Sequence, residues 1–133
     1  MRQLFIALAL ALTPAAAFAQ AKPAAPAAAA KPAIDGAKVF AQCRACHTIE
    51  KGGKNLVGPN LHGVIGRKAG TLAGFNYSPA MKAYGVVWSD KALDTYLAAP
   101  QQVVKGTRMT FVGVKNPDQR KAVIEYIKKA SAG

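Results

Sequence analysis

The residues with the clearest chemical use are Cys43, Cys46 and His47, which belong to the run Cys-Arg-Ala-Cys-His. On a helical turn, side chains at positions i and i+3 share a face and the side chain at i+4 lies beside them. The two thiols and the imidazole would therefore project together from one short segment. Such a set can form two thioether bonds and offer a nitrogen ligand to a metal ion.

Three kinds of site use this combination of residues. The spacing C-x-x-C-H is the signal for covalent attachment of a c-type haem, which uses both thiols and the histidine. A redox pair of the thioredoxin kind would lie beside a βαβ pattern, which is missing from this sequence. A structural zinc site needs four ligands, and His62 is the only other cysteine or histidine in the chain. The pattern favours one haem attached through Cys43 and Cys46.

A haem iron bound by His47 on one face has a second ligand position on the other face. Met109 lies in a glycine-containing loop between two predicted helices, where its side chain is not committed to a helix face. Met81 falls within a short predicted helix and is expected to pack in the core. His62 follows His47 too closely to cross a haem plane easily, so we expect it at the surface or in a hydrogen bond. A neutral lysine and an open position are the remaining alternatives.

The N-terminus has the pattern of an export signal. A short basic region over 1–3 precedes an unbroken apolar run over 4–12, and an Ala-Phe-Ala triplet over 17–19 is typical of a cleavage site. An uncleaved membrane anchor would need about 20 apolar residues, whereas this run is interrupted at Thr13 and Pro14. We therefore predict a cleaved signal peptide over 1–19, a periplasmic mature protein and no transmembrane anchor after cleavage.

The segment that follows has little capacity to fold. Residues 21–33 contain only alanine, proline and lysine, and a segment with so little to bury cannot repay its ordering entropy. We predict a tether over 20–33 and one domain over 34–133. A length of 133 residues excludes large multidomain enzymes.

The charge of the chain is strongly basic. Lys and Arg number 18 against 6 Asp and Glu, which gives a formal net charge of +12. This surplus favours an anionic or acidic partner. Nucleic acid, an anionic membrane and an acidic protein all fit the charge, but export argues against nucleic acid.

Cap residues and apolar spacing predict four helices in the domain. Alternating strand patterns of useful length are missing, so the predicted class is all-α with long loops. The helices are expected to begin at Asp35, at Ser78-Pro79, at Ser89 and at Asn116-Pro117, and the first three to end at about Cys46, at Gly85 and at Pro100.

The segment over 52–74 is rich in glycine and largely irregular. A loop of more than about 20 residues argues against a compact small domain unless something else organises it. A buried prosthetic group would supply the missing core.

Further motifs follow the haem motif in a specific order: Gly58-Pro59-Asn60-Leu61-His62-Gly63 with Gly66-Arg67, Phe75-Asn76-Tyr77, Trp88, Tyr96-Leu97 with Pro100, and Gly106-Thr107-Arg108-Met109. Their order and spacing over residues 34–130 resemble the class I c-type cytochromes. The resemblance implies the small cytochrome c fold, with four or five helices and long loops wrapped around one covalently bound haem.

The resemblance also implies which residues surround the haem. His47 and Met109 would be the proximal and distal iron ligands. The Pro59 carbonyl would accept the second ring N–H of His47, and the Tyr96 hydroxyl would lie close to the Met109 sulfur. The haem propionates would be surrounded by Arg67, Tyr77, Trp88 and Thr107.

These expectations describe a soluble periplasmic one-electron carrier and not an enzyme, because two protein ligands leave no iron position for a substrate. The expected partners are acidic redox proteins and membrane oxidase or reductase complexes, which a monomer would meet by transient electrostatic docking. One alternative is the electron-accepting haem subunit of a specific periplasmic oxidoreductase. Another is a five-coordinate haem protein that binds small ligands or acts as a peroxidase, which requires an unbound Met109.

Overall fold

The computed structural model describes residues 33–132. The predicted signal peptide over 1–19 and residues 20–32 of the predicted tether lie outside this range. Between residues 33 and 132 there is no strand, and Lys68 and Val87 form an isolated bridge. The all-α prediction is confirmed. The helices in this range are α1 Gly36–Phe40, α2 Pro79–Tyr84, α3 Asp90–Ala98, α4 Pro100–Val103 and α5 Pro117–Ala130.

The four predicted helix starts are confirmed by their caps. In each case the side-chain oxygen of the residue before the helix accepts a backbone N–H of the first turn, which satisfies a donor that has no partner inside the helix. Proline occupies the first position of α2 and α5, where its missing N–H costs nothing. The capping residues are Asp35, Ser78, Ser89 and Asn116.

The predicted end of the first helix at about Cys46 is wrong, because α1 ends at Phe40. Beyond it the chain continues in tight turns over 41–46. The N–H of Cys43 donates to the Phe40 carbonyl at 2.8 Å, and the N–H of Cys46 donates to the Cys43 carbonyl at 3.1 Å. These two bonds span three residues, as in a 3₁₀ turn. The N–H of His47 donates to the same Cys43 carbonyl at 3.0 Å across four residues, as in an α-helix, so the attachment segment mixes both kinds of turn.

Pro100 ends α3 as predicted, but it also begins a helix that the sequence prediction missed. Ala99 adopts φ −160° and ψ 73°, which breaks the helical path, and α4 then starts directly at Pro100. The fixed φ of proline is suited to a first helical position. The fold therefore has a short α4 between α3 and the loop that carries Met109.

Helices α1 and α5 cross at very short range. A Cβ added to Gly36 would overlap the carbonyl oxygen of Ala122, so the backbones can approach this closely only with glycine at position 36. The rings of Phe40 and Tyr126 pack with their centroids 5.1 Å apart. This crossing positions the attachment segment, which follows α1 directly.

Helix α5 is also tied to α3 by two ion pairs. Arg120 Nε lies 2.7 Å from Asp94 Oδ1, and Lys128 Nζ lies 2.7 Å from Asp90 Oδ2. Val123 on α5 is 1% exposed and belongs to the buried core. Among residues 33–132, no helix is long and apolar enough to cross a membrane.

Candidate functional site

The helices and loops enclose a predominantly apolar cavity of about 430 Å³. This volume falls within the range of sites that bind small molecules and cofactors. Chemically distinct groups from distant parts of the chain line it: the side chains of Cys43, Cys46, His47 and Met109. The structure thus brings together the four residues that the sequence singled out for haem binding.

The thiols of Cys43 and Cys46 are free and half-buried. Burial, and to a lesser extent the neighbouring Cys46, raise the pKa of the Cys43 thiol to about 11. Redox C-x-x-C pairs instead depend on a thiolate whose pKa is lowered. Residues 33–132 also contain no group of three or more His, Cys, Asp and Glu residues that could hold a metal ion. The raised pKa of Cys43 therefore disfavours the redox-pair interpretation.

His47 is held in one orientation and one tautomer. Its Nδ1 lies 2.8 Å from the Pro59 carbonyl oxygen, which can only accept, so Nδ1 carries the proton and Nε2 keeps a free lone pair. Burial lowers the pKa of His47, while the bond to Pro59 raises it to a smaller extent. A Cβ on Gly58 would overlap the His47 ring, so glycine permits this close approach. A neutral imidazole oriented in this way is suited to bind iron.

Met109 is half-buried, and its sulfur has a defined partner. The Tyr96 hydroxyl donates to Met109 Sδ at 3.4 Å and lies 3.4 Å from Thr107 Oγ1. Thr107 Oγ1 also accepts the Met109 backbone N–H at 3.3 Å. Burial raises the pKa of Tyr96, although the bond with Thr107 lowers it in part, so the hydroxyl remains a donor at neutral pH. The thioether is thus held within the cavity by two neighbouring side chains.

The cavity also has a polar wall that includes Arg67, Tyr77 and Trp88. Arg67 donates from Nη1 to the His62 carbonyl at 2.9 Å and from Nη2 to the Asn60 carbonyl at 3.2 Å. Its guanidinium therefore supports the loop that contains Pro59. The resemblance grouped Thr107 with these residues, and in this structure the hydroxyl of Thr107 forms hydrogen bonds with Tyr96 and Met109.

The two other candidate ligands have different environments. Met81 on α2 is 8% exposed and belongs to the core, but it also lines the cavity. His62 does not line the cavity, and its buried Nδ1 has no hydrogen-bond partner among the described residues. Of the two, Met81 is therefore the control for any test of Met109.

The donor set and the apolar lining of the cavity fit a covalently bound haem. Two thiols, an imidazole nitrogen and a thioether sulfur face one cavity, and Arg67 and Trp88 lie on its wall. Imidazole and thioether are an established pair of haem iron ligands.

Comparison with known proteins agrees with this geometry. The family model described as Cytochrome c matches residues 33–131. The chain belongs to the cytochrome c family. Proteins of this family carry electrons on one covalently bound haem c and are not enzymes, and the spacing of Cys43 and Cys46 is the one that attaches this haem. The function of the chain is thus electron transport.

Individual relatives come from bacteria and from plants. The chain is 51% identical over 94 residues to cytochrome c2 iso-2 of Magnetospirillum molischianum, covering 71% of this chain and 96% of the relative. It is 48% identical over 94 residues to cytochrome c2 of Rhodomicrobium vannielii, covering 71% and 75%. It is 43% identical over 98 residues to cytochrome c of Nigella damascena, covering 73% and 88%.

Sequence reasoning on this cytochrome missed one residue that organises the site. Asn60 is 8% exposed, and its backbone and side chain take part in five hydrogen bonds. The sequence placed it within a motif but suggested no partners, because those partners come from several parts of the chain. A buried asparagine next to Pro59 must satisfy its amide within the protein, and that requirement is the signal that could have identified it.

Proposed function

We propose that this chain is a soluble periplasmic carrier that moves single electrons between redox proteins on a haem whose iron is bound by His47 and Met109. One observation supports the proposal above all: the imidazole and the thioether line the same apolar cavity as both haem-attaching cysteines. The two residues lie 62 positions apart in the sequence, and the fold brings them to one cavity with space for a bound group between them.

Each proposed ligand has a partner that prepares it. The Pro59 carbonyl fixes the His47 ring, which raises the basicity of the imidazole towards a metal. The Tyr96 hydroxyl withdraws electron density from the Met109 sulfur. Bound haem supplies the iron that alternates between the ferric and ferrous states, and methionine ligation raises its reduction potential.

The polar wall is proposed to hold the charged end of the haem. Propionate groups cannot leave water without compensating donors, and Arg67, Tyr77 and Trp88 line the cavity and can supply them. Thr107 is part of the same proposal, and its hydroxyl is shared with Tyr96. The apolar remainder of the cavity excludes water from the iron.

The domain organisation and location are part of the proposal. We infer a cleaved signal peptide over 1–19, a tether over 20–33 and a cytochrome domain over 34–133. The family match over 33–131 supports the last boundary, and the export pattern over 1–19 supports a periplasmic location. Thioether attachment of the haem follows from the pair of cysteines.

The proposed partners are acidic redox proteins, including membrane oxidase or reductase complexes, which the monomer meets transiently. The full sequence has a net charge of +12, of which the proposed signal peptide carries one unit at Arg2, and the remaining surplus supports this choice, because opposite charges steer encounter without requiring a tight complex. Arg108 lines the cavity, and its Nη1 donates to the Asn76 carbonyl at 3.2 Å, so one positive charge is held at the site.

The ligand set is tested by replacing each cavity methionine in turn. Met109→Ala should remove the ferric sulfur–iron charge-transfer band at the red end of the spectrum, lower the reduction potential and let cyanide bind. Met81→Ala should leave all three properties nearly unchanged, although it leaves a void in the core that costs about 2–4 kcal/mol of stability. Retention of the red band by Met109→Ala would show that Met109 is not the ligand.

A further inference from the structure

The peptide unit between Pro59 and Asn60 is hydrogen-bonded at both ends. The Pro59 carbonyl oxygen accepts from His47 Nδ1 at 2.8 Å, and the Asn60 N–H donates to Asn55 Oδ1 at 2.8 Å. Because a peptide unit is planar, its carbonyl and its N–H rotate together. The Pro59 carbonyl therefore cannot turn away from His47 without also breaking the bond to Asn55.

The side chain of Asn60 removes the remaining freedom of this unit. Its Nδ2 donates to Thr48 Oγ1 at 2.6 Å and to the Glu50 carbonyl at 3.0 Å, while its Oδ1 accepts the His62 N–H at 2.9 Å. Every polar atom of the side chain is satisfied. The orientation of the peptide unit is thus set by bonds that do not involve the His47 ring.

The orientation of the Asn55 amide is also determined by its neighbours. Its Nδ2 donates to the Gly74 carbonyl at 3.3 Å, and its Oδ1 faces the Asn60 N–H. The flipped amide would place a donor against a donor and an acceptor against an acceptor. The oxygen of Asn55 is therefore the atom directed at the peptide unit.

We propose that Asn55 is a positioning residue that tunes His47 through the peptide unit between Pro59 and Asn60, a role that rests on the proposed binding of iron by His47. Hydrogen bonds in a chain polarise one another. An acceptor on the Asn60 N–H raises the negative charge on the Pro59 oxygen and strengthens the bond that His47 Nδ1 donates. The imidazole then becomes a stronger electron donor through Nε2, which favours ferric iron.

The two hydrogen-bonding atoms of Asn55 separate this role from a merely structural one. Oδ1 accepts the Asn60 N–H of the peptide unit, whereas Nδ2 donates to the Gly74 carbonyl. Asn55→Asp keeps an acceptor for the Asn60 N–H and loses the donor to Gly74. Asn55→Ala loses both. Asn55 is exposed, so neither variant leaves a void in the core.

The experiment compares the holoproteins of the wild type, Asn55→Ala and Asn55→Asp. Lys54→Gln is the matched control, because it makes the same change of one charge unit at the adjacent exposed residue. The measurements are the reduction potential and the proton NMR resonance of His47 Nδ1–H in the ferrous protein. Neither depends on an electron-transfer partner.

Asn55→Ala should shift the ferric–ferrous equilibrium about threefold towards ferrous iron, about 30 mV for a one-electron couple, and move the Nδ1–H resonance upfield. Asn55→Asp should lower the reduction potential and move the Nδ1–H resonance downfield. Both changes should be larger than those in Lys54→Gln. A reduction potential that falls in Asn55→Ala would overturn the proposal. It would indicate that the variant loosens the loop and admits water, which stabilises the charge of ferric iron. An unchanged resonance would overturn it as well. Failure of the proposed ligation by His47 would instead appear in the wild type, as ring-carbon protons of His47 that lack the strong upfield shift which the haem ring current gives an iron-bound imidazole.

Discussion

Two ion pairs of equal length join α3 to α5, and we predict that they differ widely in their contribution to stability. Arg120 and Lys128 each lie 2.7 Å from an aspartate oxygen. The Arg120 side chain is 14% exposed, whereas that of Lys128 is 44% exposed. Arg120 Nη1 also donates to the carbonyls of Val114 and Lys115, each at 3.0 Å. These two carbonyls follow the loop that carries Met109.

The magnitudes follow from the number and burial of these bonds. A hydrogen bond from a charged donor is worth at least about 1.5 kcal/mol, so Arg120→Met should lower the free energy of unfolding by about 3 kcal/mol through the two carbonyls. The exposed pair of Lys128 with Asp90 is worth about 0.2–1 kcal/mol. Lys128→Met should therefore cost less than about 1 kcal/mol, even with its favourable position in the last turn of α5.

The assay is denaturation of the ferric holoproteins by guanidinium chloride, with thermal unfolding as a second measurement. For a domain of about 100 residues, about 3 kcal/mol corresponds to a fall in Tm of about 12–24 °C. A double-mutant cycle of Asp94→Asn and Arg120→Met measures the ion pair by itself. The pair with Asp94 should account for less than half of the stability that Arg120→Met loses. Equal losses for Arg120→Met and Lys128→Met would refute the reasoning, because distance alone would then determine the contribution.

Two further predictions concern the helix crossing and the polar wall. Gly36→Ala should destabilise the protein by about 3 kcal/mol, because the added Cβ overlaps the Ala122 carbonyl. Gly52→Ala, at φ +72° with open space around it, should cost only the backbone strain of about 1–2 kcal/mol. Equal denaturation midpoints for Gly36→Ala and Gly52→Ala would contradict the predicted difference. Burial raises the pKa of Tyr77, against smaller opposing effects of Arg67 and the Leu72 backbone. The folded state therefore holds this proton more tightly than the unfolded state, and its contribution to stability is lost as pH rises above about 10. Tyr77→Phe should flatten the decline of the unfolding midpoint between pH 9 and pH 11, and an identical decline in the wild type would rule out this contribution.

The parts of the fold that depend on neighbours in the chain could be predicted well. The caps at Asp35, Ser78, Ser89 and Asn116 were all correct, since a cap joins a side chain to backbone groups two or three residues away. The end of α1 was not, because no local signal marks the turns after Phe40. The missed α4 has a similar origin, as a proline that ends one helix can begin the next.

The sequence by itself determined the chemistry of this protein. The spacing of Cys43, Cys46 and His47 lies within one turn of chain, so it carries the haem attachment signal without any tertiary contact. The tertiary structure decided which groups face that haem site and how they are held. Met109 lines the cavity, and Tyr96 donates to its sulfur. Asn60 forms hydrogen bonds with Thr48, Glu50 and Asn55, and these bonds hold the peptide unit that orients His47. The physical reason is that these hydrogen bonds join segments whose proximity depends on how the whole chain packs, whereas attachment depends on residues that are already adjacent.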